Sequence, residues 1–195
     1  MQNELVNLGH LVSNPESPFV AILGGAKVKG KVEVILNLFD KVDVLLLGGG
    51  MIFTFYKALG IDVGGSIVDE SSISVAKEIL DKAKTSNTKL VLPVDIVVAD
   101  SFSDQSNQQV VAHNQIPEDW MGLDIGPATI SNYSEIINSA KSIFWNGPLG
   151  VFEMKSFKKG TECIGRSVVA ATEKGAHSVV GGGDSVAAVN QAGLS

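Results

Sequence analysis

Cysteine is almost missing from this chain. Cys163 stands alone among 195 residues, so no internal disulfide can form, which suits a reducing compartment. Histidine is scarce too: His10, His113 and His177 are scattered without metal-ligand spacing, and no Ser–His–Asp arrangement is legible. Positive charge is outnumbered, with 15 Lys and Arg against 21 Asp and Glu. The resulting net charge of −6 excludes the basic face that nucleic acid needs, although a few local lysines can still bind phosphates. No apolar run approaches the roughly 20 residues of a membrane helix. Met1-Gln2-Asn3-Glu4 lacks the basic-then-apolar order of a signal peptide, so a cytoplasmic protein is expected. Internal repeats and low-complexity tracts are also absent. What remains is 45% apolar and 18% charged, the composition of one globular domain or of a domain from something larger.

Glycine, by contrast, is plentiful, and three runs of it follow apolar stretches directly: Leu23-Gly24-Gly25, Leu47-Gly48-Gly49-Gly50 and Val180-Gly181-Gly182-Gly183. A short apolar run reads as a buried strand, and glycine at its end lets a backbone or a ligand come close. A helix is expected after each run, and helix starts suit phosphate. Three such corners point to a nucleotide polyphosphate.

Strands and helices alternate along the chain. The periodicity predicts helices over 2–12, 30–40, 50–59, 71–84, 128–140, 156–173 and 184–192. Strands are predicted over 18–23, 43–47, 89–92, 95–99, 142–145 and 177–181, with a strand end at 123–126 and a short strand at 109–112 inside a polar excursion. Strands separated by helices pair in parallel. The expected fold is therefore α/β: three layers around a doubly wound, mainly parallel sheet, with ligands beyond the strand C-termini. The chain starts on a helix with no strand before it and stops just after a short one, so both ends look like cuts.

Lys27, Lys29 and Lys31 sit beside Gly24 and Gly25. If the helix starts near Val28, Lys27 and Lys31 share a side and can point at one anion. A solvated helix start is the bland alternative, but cations there oppose the helix dipole. The segment is close to a P-loop but has Val32 where the magnesium-binding hydroxyl belongs, which excludes that motif. Gly48-Gly49-Gly50 fits either a ligand or close helix–sheet packing, and lacks dinucleotide spacing. Trp145-Asn146-Gly147-Pro148-Leu149-Gly150-Val151-Phe152-Glu153 reads as a fixed tight loop whose Glu153 can accept from ribose, or as a plain turn with a capping glutamate. In Gly181-Gly182-Gly183-Asp184-Ser185, free N–H groups and Ser185 can bind phosphate and Asp184 can bind Mg²⁺, or either side chain can cap the helix. Cys163 reads as packing, and Asp95 and Asp100 as strand-end carboxylates.

At these motifs the chain closely resembles the phosphoglycerate kinase family. The segments PFVAILGGAKVKGK, DVLLLGGGMIFTF, LVLPVDIVVAD, MGLDIGP, WNGPLGVFE, KGTE and GGGDS occur in family order. The resemblance is to the C-terminal, nucleotide-binding half, with residues 1–13 as the end of the interdomain helix and 14–195 as the nucleotide-binding domain, truncated at its C-terminus. It implies reversible phosphoryl transfer between 1,3-bisphosphoglycerate and Mg-ADP, giving 3-phosphoglycerate and Mg-ATP. The half that binds phosphoglycerate and a further glycine-rich segment after Ser195 are not in this sequence. On their own, then, these residues are expected to bind nucleotide without turnover, as a monomer with no nucleic-acid or membrane partner.

Carried over by motif, Ala26 and Lys27 line the phosphate side, and Lys31 contacts the phosphates, so that Lys31 and Lys27 carry the catalytic charge. Gly49 and Gly50 flank the adenine, Ile67 and Leu123 are apolar walls, and Gly122 lies nearby. Asn146 and Gly147 approach the nucleotide, Phe152 supports it and Glu153 bonds the ribose. Asp184 holds magnesium, and Gly182, Gly183 and Ser185 meet a phosphate. Gly30 stands where the family usually has Asp, and Ile52 where it often has Ala. A non-catalytic nucleotide-binding or interaction module is the alternative, and a nicotinamide dehydrogenase domain a weaker one.

Overall fold

The computed structural model describes residues 15–194. The helix expected over 2–12, and with it the interdomain segment 1–13, lies outside the described residues.

Among the described residues eight strands and six helices follow one another: β1 Phe19–Leu23, α1 Val32–Leu38, β2 Val44–Leu47, α2 Ile52–Ala58, α3 Ile73–Thr85, β3 Lys89–Val91, β4 Asp95–Ala99, β5 Gln108–Ala112, β6 Met121–Ile125, α4 Pro127–Asn138, β7 Ser142–Asn146, α5 Lys159–Glu173, β8 His177–Gly181 and α6 Gly183–Gln191. Short 3₁₀ turns precede α3 and α5. Five strands form a parallel sheet in the order β3-β2-β1-β7-β8. The chain leaves β1 towards β2 on one side and reaches β7 on the other. The strand order therefore reverses beside β1, where sheets of this kind bind ligands.

Both faces of this sheet are covered, as the unbroken apolar run of β1 requires. Phe19, Ala21 and Leu23 point into one core with Leu45 and Leu47, against Ile35 and Leu38 of α1, Phe53, Phe55 and Tyr56 of α2, and Ala76 and Ile79 of α3. The alternate residues Val20 and Ile22 point the other way with Leu46, Ile143 and Trp145, against Tyr133 and Ile137 of α4 and Ile164 and Val168 of α5. That two-residue alternation produces the three layers. Tyr133 ties the layers together, its hydroxyl donating to the carbonyls of Leu47 at 2.7 Å and Val91 at 3.1 Å. Burial pushes that phenol well above its ordinary pKa.

The remaining strands depart from the parallel expectation. β4 lies between β5 and β6 and pairs with both antiparallel, forming a separate three-stranded sheet. No helix joins these strands, so nothing imposes a parallel crossover. Asp95 opens β4 and reaches over to cap α4. Its carboxylate accepts N–H bonds from Ala128 at 2.9 Å and Thr129 at 2.8 Å, and the Thr129 hydroxyl at 2.6 Å.

The lysine segment also differs from expectation. The helix starts at Val32, and the Lys31 N–H closes a turn onto the Val28 carbonyl at 2.8 Å. Lys27 is therefore not on the helix, and the four-residue spacing that was to align it with Lys31 does not apply. Exposed lysines around Gly30 are poor material for a first turn, because they oppose the helix dipole and glycine costs backbone entropy.

Candidate functional site

Two of the glycine corners, at the carboxyl ends of β1 and β2, meet the loop that follows β7, and the three segments lock together backbone to backbone. Gly24 N–H donates to the Asn146 carbonyl at 2.9 Å, Gly25 N–H to Pro148 at 3.0 Å, Gly49 N–H to Leu149 at 3.1 Å and Met51 N–H to Gly25 at 3.0 Å. A Cβ on Gly24 would lie 2.0 Å from the Pro148 carbonyl oxygen, and one on Gly49 would lie 2.5 Å from the Gly25 nitrogen. Such distances admit no side chain. Much of the glycine in this region is thus explained by three chain segments meeting, the packing alternative weighed for Gly48-Gly49-Gly50. Gly50 and Gly122 serve side chains instead, approaching Ile67 and the Phe53 ring respectively.

A cavity of about 540 Å³ opens beside this corner. Ala26, Gly49, Gly50, Ile67, Gly122, Leu123, Phe152, Glu153 and Asp184 all line it. Its lining comes from both sheets: Gly25 to Gly50 and Pro148 to Glu153 belong to the parallel strand ends, and Met121 to Asp124 to the antiparallel sheet. Glu153 is exposed and finds no hydrogen-bond partner among the described residues. It does not cap α5, whose N-cap is Lys158. Asp184, also exposed, sits in the first turn of α6, where Gly182 occupies the N-cap with φ of 87° and no side chain caps the helix.

The other expected site residues lie behind or beside the cavity. Lys31 donates from Nζ to Oδ1 of Asn146. Its chain passes Gly25, where a Cβ would stand 3.9 Å from the lysine Cε, so Lys31 adjoins the cavity's strand-end margin. Asn146 is buried at the end of β7. Gly147 adopts φ of 102°, and its N–H donates to the Ser185 hydroxyl at 2.5 Å. Ser185 is fully buried and fastens α6 to the β7 loop. Gly183 has open space around its Cα. Lys27 is exposed in the turn after Gly25, and with the Lys29 amide it helps to hold the Asp69 carboxyl below its ordinary pKa, behind the larger effect of the Ser71 and Ser72 hydroxyls.

Sequence reasoning missed two features. Asp124 lines the cavity but is almost completely enclosed, accepting the Gly160 N–H at 2.7 Å and the Ile125 N–H at 2.9 Å. Burial pushes its carboxyl up to about 7, against the pull of both amides. Glycines at 150 and 160 make room for it, since a Cβ at either would fall within 2.3 Å of Oδ1. A lone Asp inside the apolar strand Met121–Ile125 was the available signal. Phe102, at 61% exposure, also lines the cavity from the polar excursion, where one aromatic among serines gave no periodic signal.

These features define an α/β protein with a ligand cavity at parallel strand ends, closed on one side by a small antiparallel sheet. A family profile described as "Phosphoglycerate kinase" matches residues 1–195, and the chain belongs to that family. A phosphoglycerate kinase of Prosthecochloris aestuarii is 53% identical over 194 residues, covering 100% of this chain and 49% of the relative. One from Chloroherpeton thalassium is 51% identical over 191 residues, covering 98% and 48%. Plant relatives include forms described as cytosolic and as chloroplastic. The solved phosphoglycerate kinase of Coxiella burnetii superposes with a TM-score of 0.92 at 38% identity, covering 99% of this chain and 49% of that one. The chain spans about half the length of the curated relatives it matches.

Proposed function

We propose that this chain is the nucleotide-binding half of a phosphoglycerate kinase, taking Mg-ADP or Mg-ATP in the cavity at the strand ends. The observation that carries this is the shared lining: Ala26, Gly50, Ile67, Leu123, Glu153 and Asp184 face one space, with Lys31 at its strand-end margin. The base lies between the Gly49–Gly50 corner and the apolar side chains of Ile67 and Leu123, over Phe152. Glu153, unpaired and exposed, accepts from the ribose hydroxyls. The phosphates run towards Ala26, Lys27 and Lys31, past Asn146 and Gly147, to the amides of Gly182 and Gly183 at the start of α6. Ser185 acts on them through Gly147, which it anchors.

The reaction transfers a phosphoryl group from the acyl phosphate of 1,3-bisphosphoglycerate to the terminal oxygen of ADP. The acyl P–O bond breaks, a new P–O bond forms and 3-phosphoglycerate leaves as a carboxylate. The donor is already activated, so the protein supplies position and positive charge and no nucleophile. Lys31 and Lys27 offset the charge on the moving group. No cluster of three or more His, Cys, Asp or Glu suited to a metal exists among the described residues. Asp184, an exposed carboxylate in the first turn of α6, fits a magnesium that arrives on the nucleotide, since that ion commonly takes one or two carboxylates with phosphate oxygens and water. When bound, it neutralises phosphate charge. The phosphoglycerate side, a monomeric state and a cytoplasmic location complete the proposal. Among the described residues no helix is long and apolar enough to cross a membrane.

Titration calorimetry with ADP tests the reading. The 195-residue chain is expected to bind, and Lys31→Ala and Glu153→Ala each to weaken binding. Absence of binding, or binding indifferent to both changes, would refute it. ATP formation from 1,3-bisphosphoglycerate by this chain alone would refute the placement of the phosphoglycerate site elsewhere.

A further inference from the structure

Two loops from distant parts of the chain bound the mouth of the cavity. One is residues 100–107, between β4 and β5, and it carries Phe102. The other is residues 147–158, between β7 and α5, and it carries Val151, Phe152 and Glu153. Ala99 pairs with Met121 across β4 and β6, so Phe102, three residues further on, stands at the Met121 end of the Met121–Leu123 wall.

The loops are joined by a two-point contact. The Ser156 N–H donates to Oδ1 of Asp104 at 2.9 Å, and the Ser156 hydroxyl donates to the Asp104 carbonyl at 3.0 Å. The Ser156 amide is also the main cause holding the Asp104 carboxyl below its ordinary pKa. The first loop is braced internally as well. Asp100 accepts the Asn107 N–H at 3.1 Å and its side-chain amide at 2.7 Å, and the Ser106 hydroxyl donates to the Ser103 carbonyl at 2.7 Å. A stiff loop fixed at one further point has little freedom, so Asp104 and Ser156 together determine where Phe102 stands relative to Phe152. Exposed polar contacts of this kind add little to folding stability, because water competes for the same groups. Their effect is therefore sought in ligand binding.

We propose that Asp104 and Ser156 form a clasp that positions Phe102 at the cavity mouth, and so sets affinity for the aromatic end of a nucleotide while leaving its polyphosphate end unaffected. The clasp rests on the nucleotide-binding reading given above. Both are positioning residues, acting through Phe102.

The test is calorimetry on the 195-residue chain with two probes, ADP and inorganic tripolyphosphate. Asp104→Ala and Ser156→Ala are each expected to weaken ADP binding about three- to tenfold, the loss associated with one or two net hydrogen bonds. The double variant should lose more than either single one, because Asp104→Ala removes the acceptor of the Ser156 N–H and Ser156→Ala removes the hydroxyl that donates to the Asp104 carbonyl. Asp104→Asn keeps an acceptor for the Ser156 N–H and should bind ADP like the parent. Tripolyphosphate affinity should stay level throughout. The clasp is overturned if ADP binding is indifferent to both alanines, or if tripolyphosphate weakens in step with ADP. A parent chain that binds tripolyphosphate but shows no added affinity for ADP overturns it too. A parent that binds neither probe overturns the nucleotide reading itself, and the clasp with it.

Discussion

Gly147→Ala is the most demanding perturbation this structure offers. Gly147 sits at φ of 102°, where an L side chain is strained. Its added Cβ would stand 2.2 Å from the Gly24 carbonyl oxygen and 2.4 Å from the Gly24 carbonyl carbon. Both are backbone atoms at the end of a central strand, so relief requires β1 and the β7 loop to part by about 1 Å. The backbone conformation costs about 1–3 kcal/mol and overpacking a similar amount. Parting the segments also strains the Gly24 N–H bond to Asn146 at 2.9 Å and the Trp145 Nε1–H bond to Gly147 at 2.8 Å, at about 1 kcal/mol each. A net loss of at least about 4 kcal/mol follows, a large part of a typical total of roughly 5–15 kcal/mol. Gly30→Ala is the matched control. Gly30 has nothing within 4 Å of its would-be Cβ, and its φ is not positive. Its stability should be unchanged or up by about 0.4–1 kcal/mol through the unfolded chain. Urea denaturation with a slope of about 2 kcal/mol per molar should separate the two midpoints by at least about 2 M. Coincident midpoints would refute the claim that the corner is packed backbone against backbone.

Asp124 gives a pH signature. Its folded pKa of about 7 lies above its unfolded value, so between roughly pH 4 and 7 the native state holds a proton that the unfolded chain has released. Its contribution to stability should fall as pH rises through that window and stay level above it. Asp124→Asn should remove about one proton from the slope, and parallel urea titrations of both proteins at several pH values would expose an unchanged slope. Asp95→Ala strips three donors of one buried acceptor and should cost about 2–4 kcal/mol in the same assay; a loss below about 0.5 kcal/mol would deny Asp95 its capping role. Asp184→Ala should weaken ADP binding more with magnesium than with chelator in calorimetry, and equal losses in the two conditions would count against a metal role.

The parallel sheet was legible because Phe19–Leu23, Val44–Leu47 and Ser142–Asn146 are short apolar runs followed by glycine, a local signal that does not depend on the rest of the chain. The antiparallel sheet was legible only as strands. The pairing of Asp95–Ala99 with Gln108–Ala112 and Met121–Ile125 depends on long-range contacts that no spacing encodes. At the site, expected residues such as Gly50, Leu123, Glu153 and Asp184 do line one cavity. Asp124 escaped notice because its meaning comes from enclosure by Gly150 and Gly160, which lie 26 and 36 positions away. The alignment of Lys27 with Lys31 depended on a helix start near Val28, and periodicity cannot tell a first turn from the loop before it; the helix starts at Val32. For Ser185 the sequence offers a phosphate contact or a helix cap, and its bond to a backbone amide 38 residues earlier is a long-range contact that neither reading contains.

Tyr133 reaches through the parallel sheet to the carbonyls that end β2 and β3, on the far side of the layer from α1, α2 and α3. A single phenol thereby fastens β2 and the edge strand β3 to the α4 layer without contributing an atom to the ligand cavity. The carboxyl ends of β2 and β3 are therefore held together from the α4 side by bonds whose donor lies outside the cavity lining.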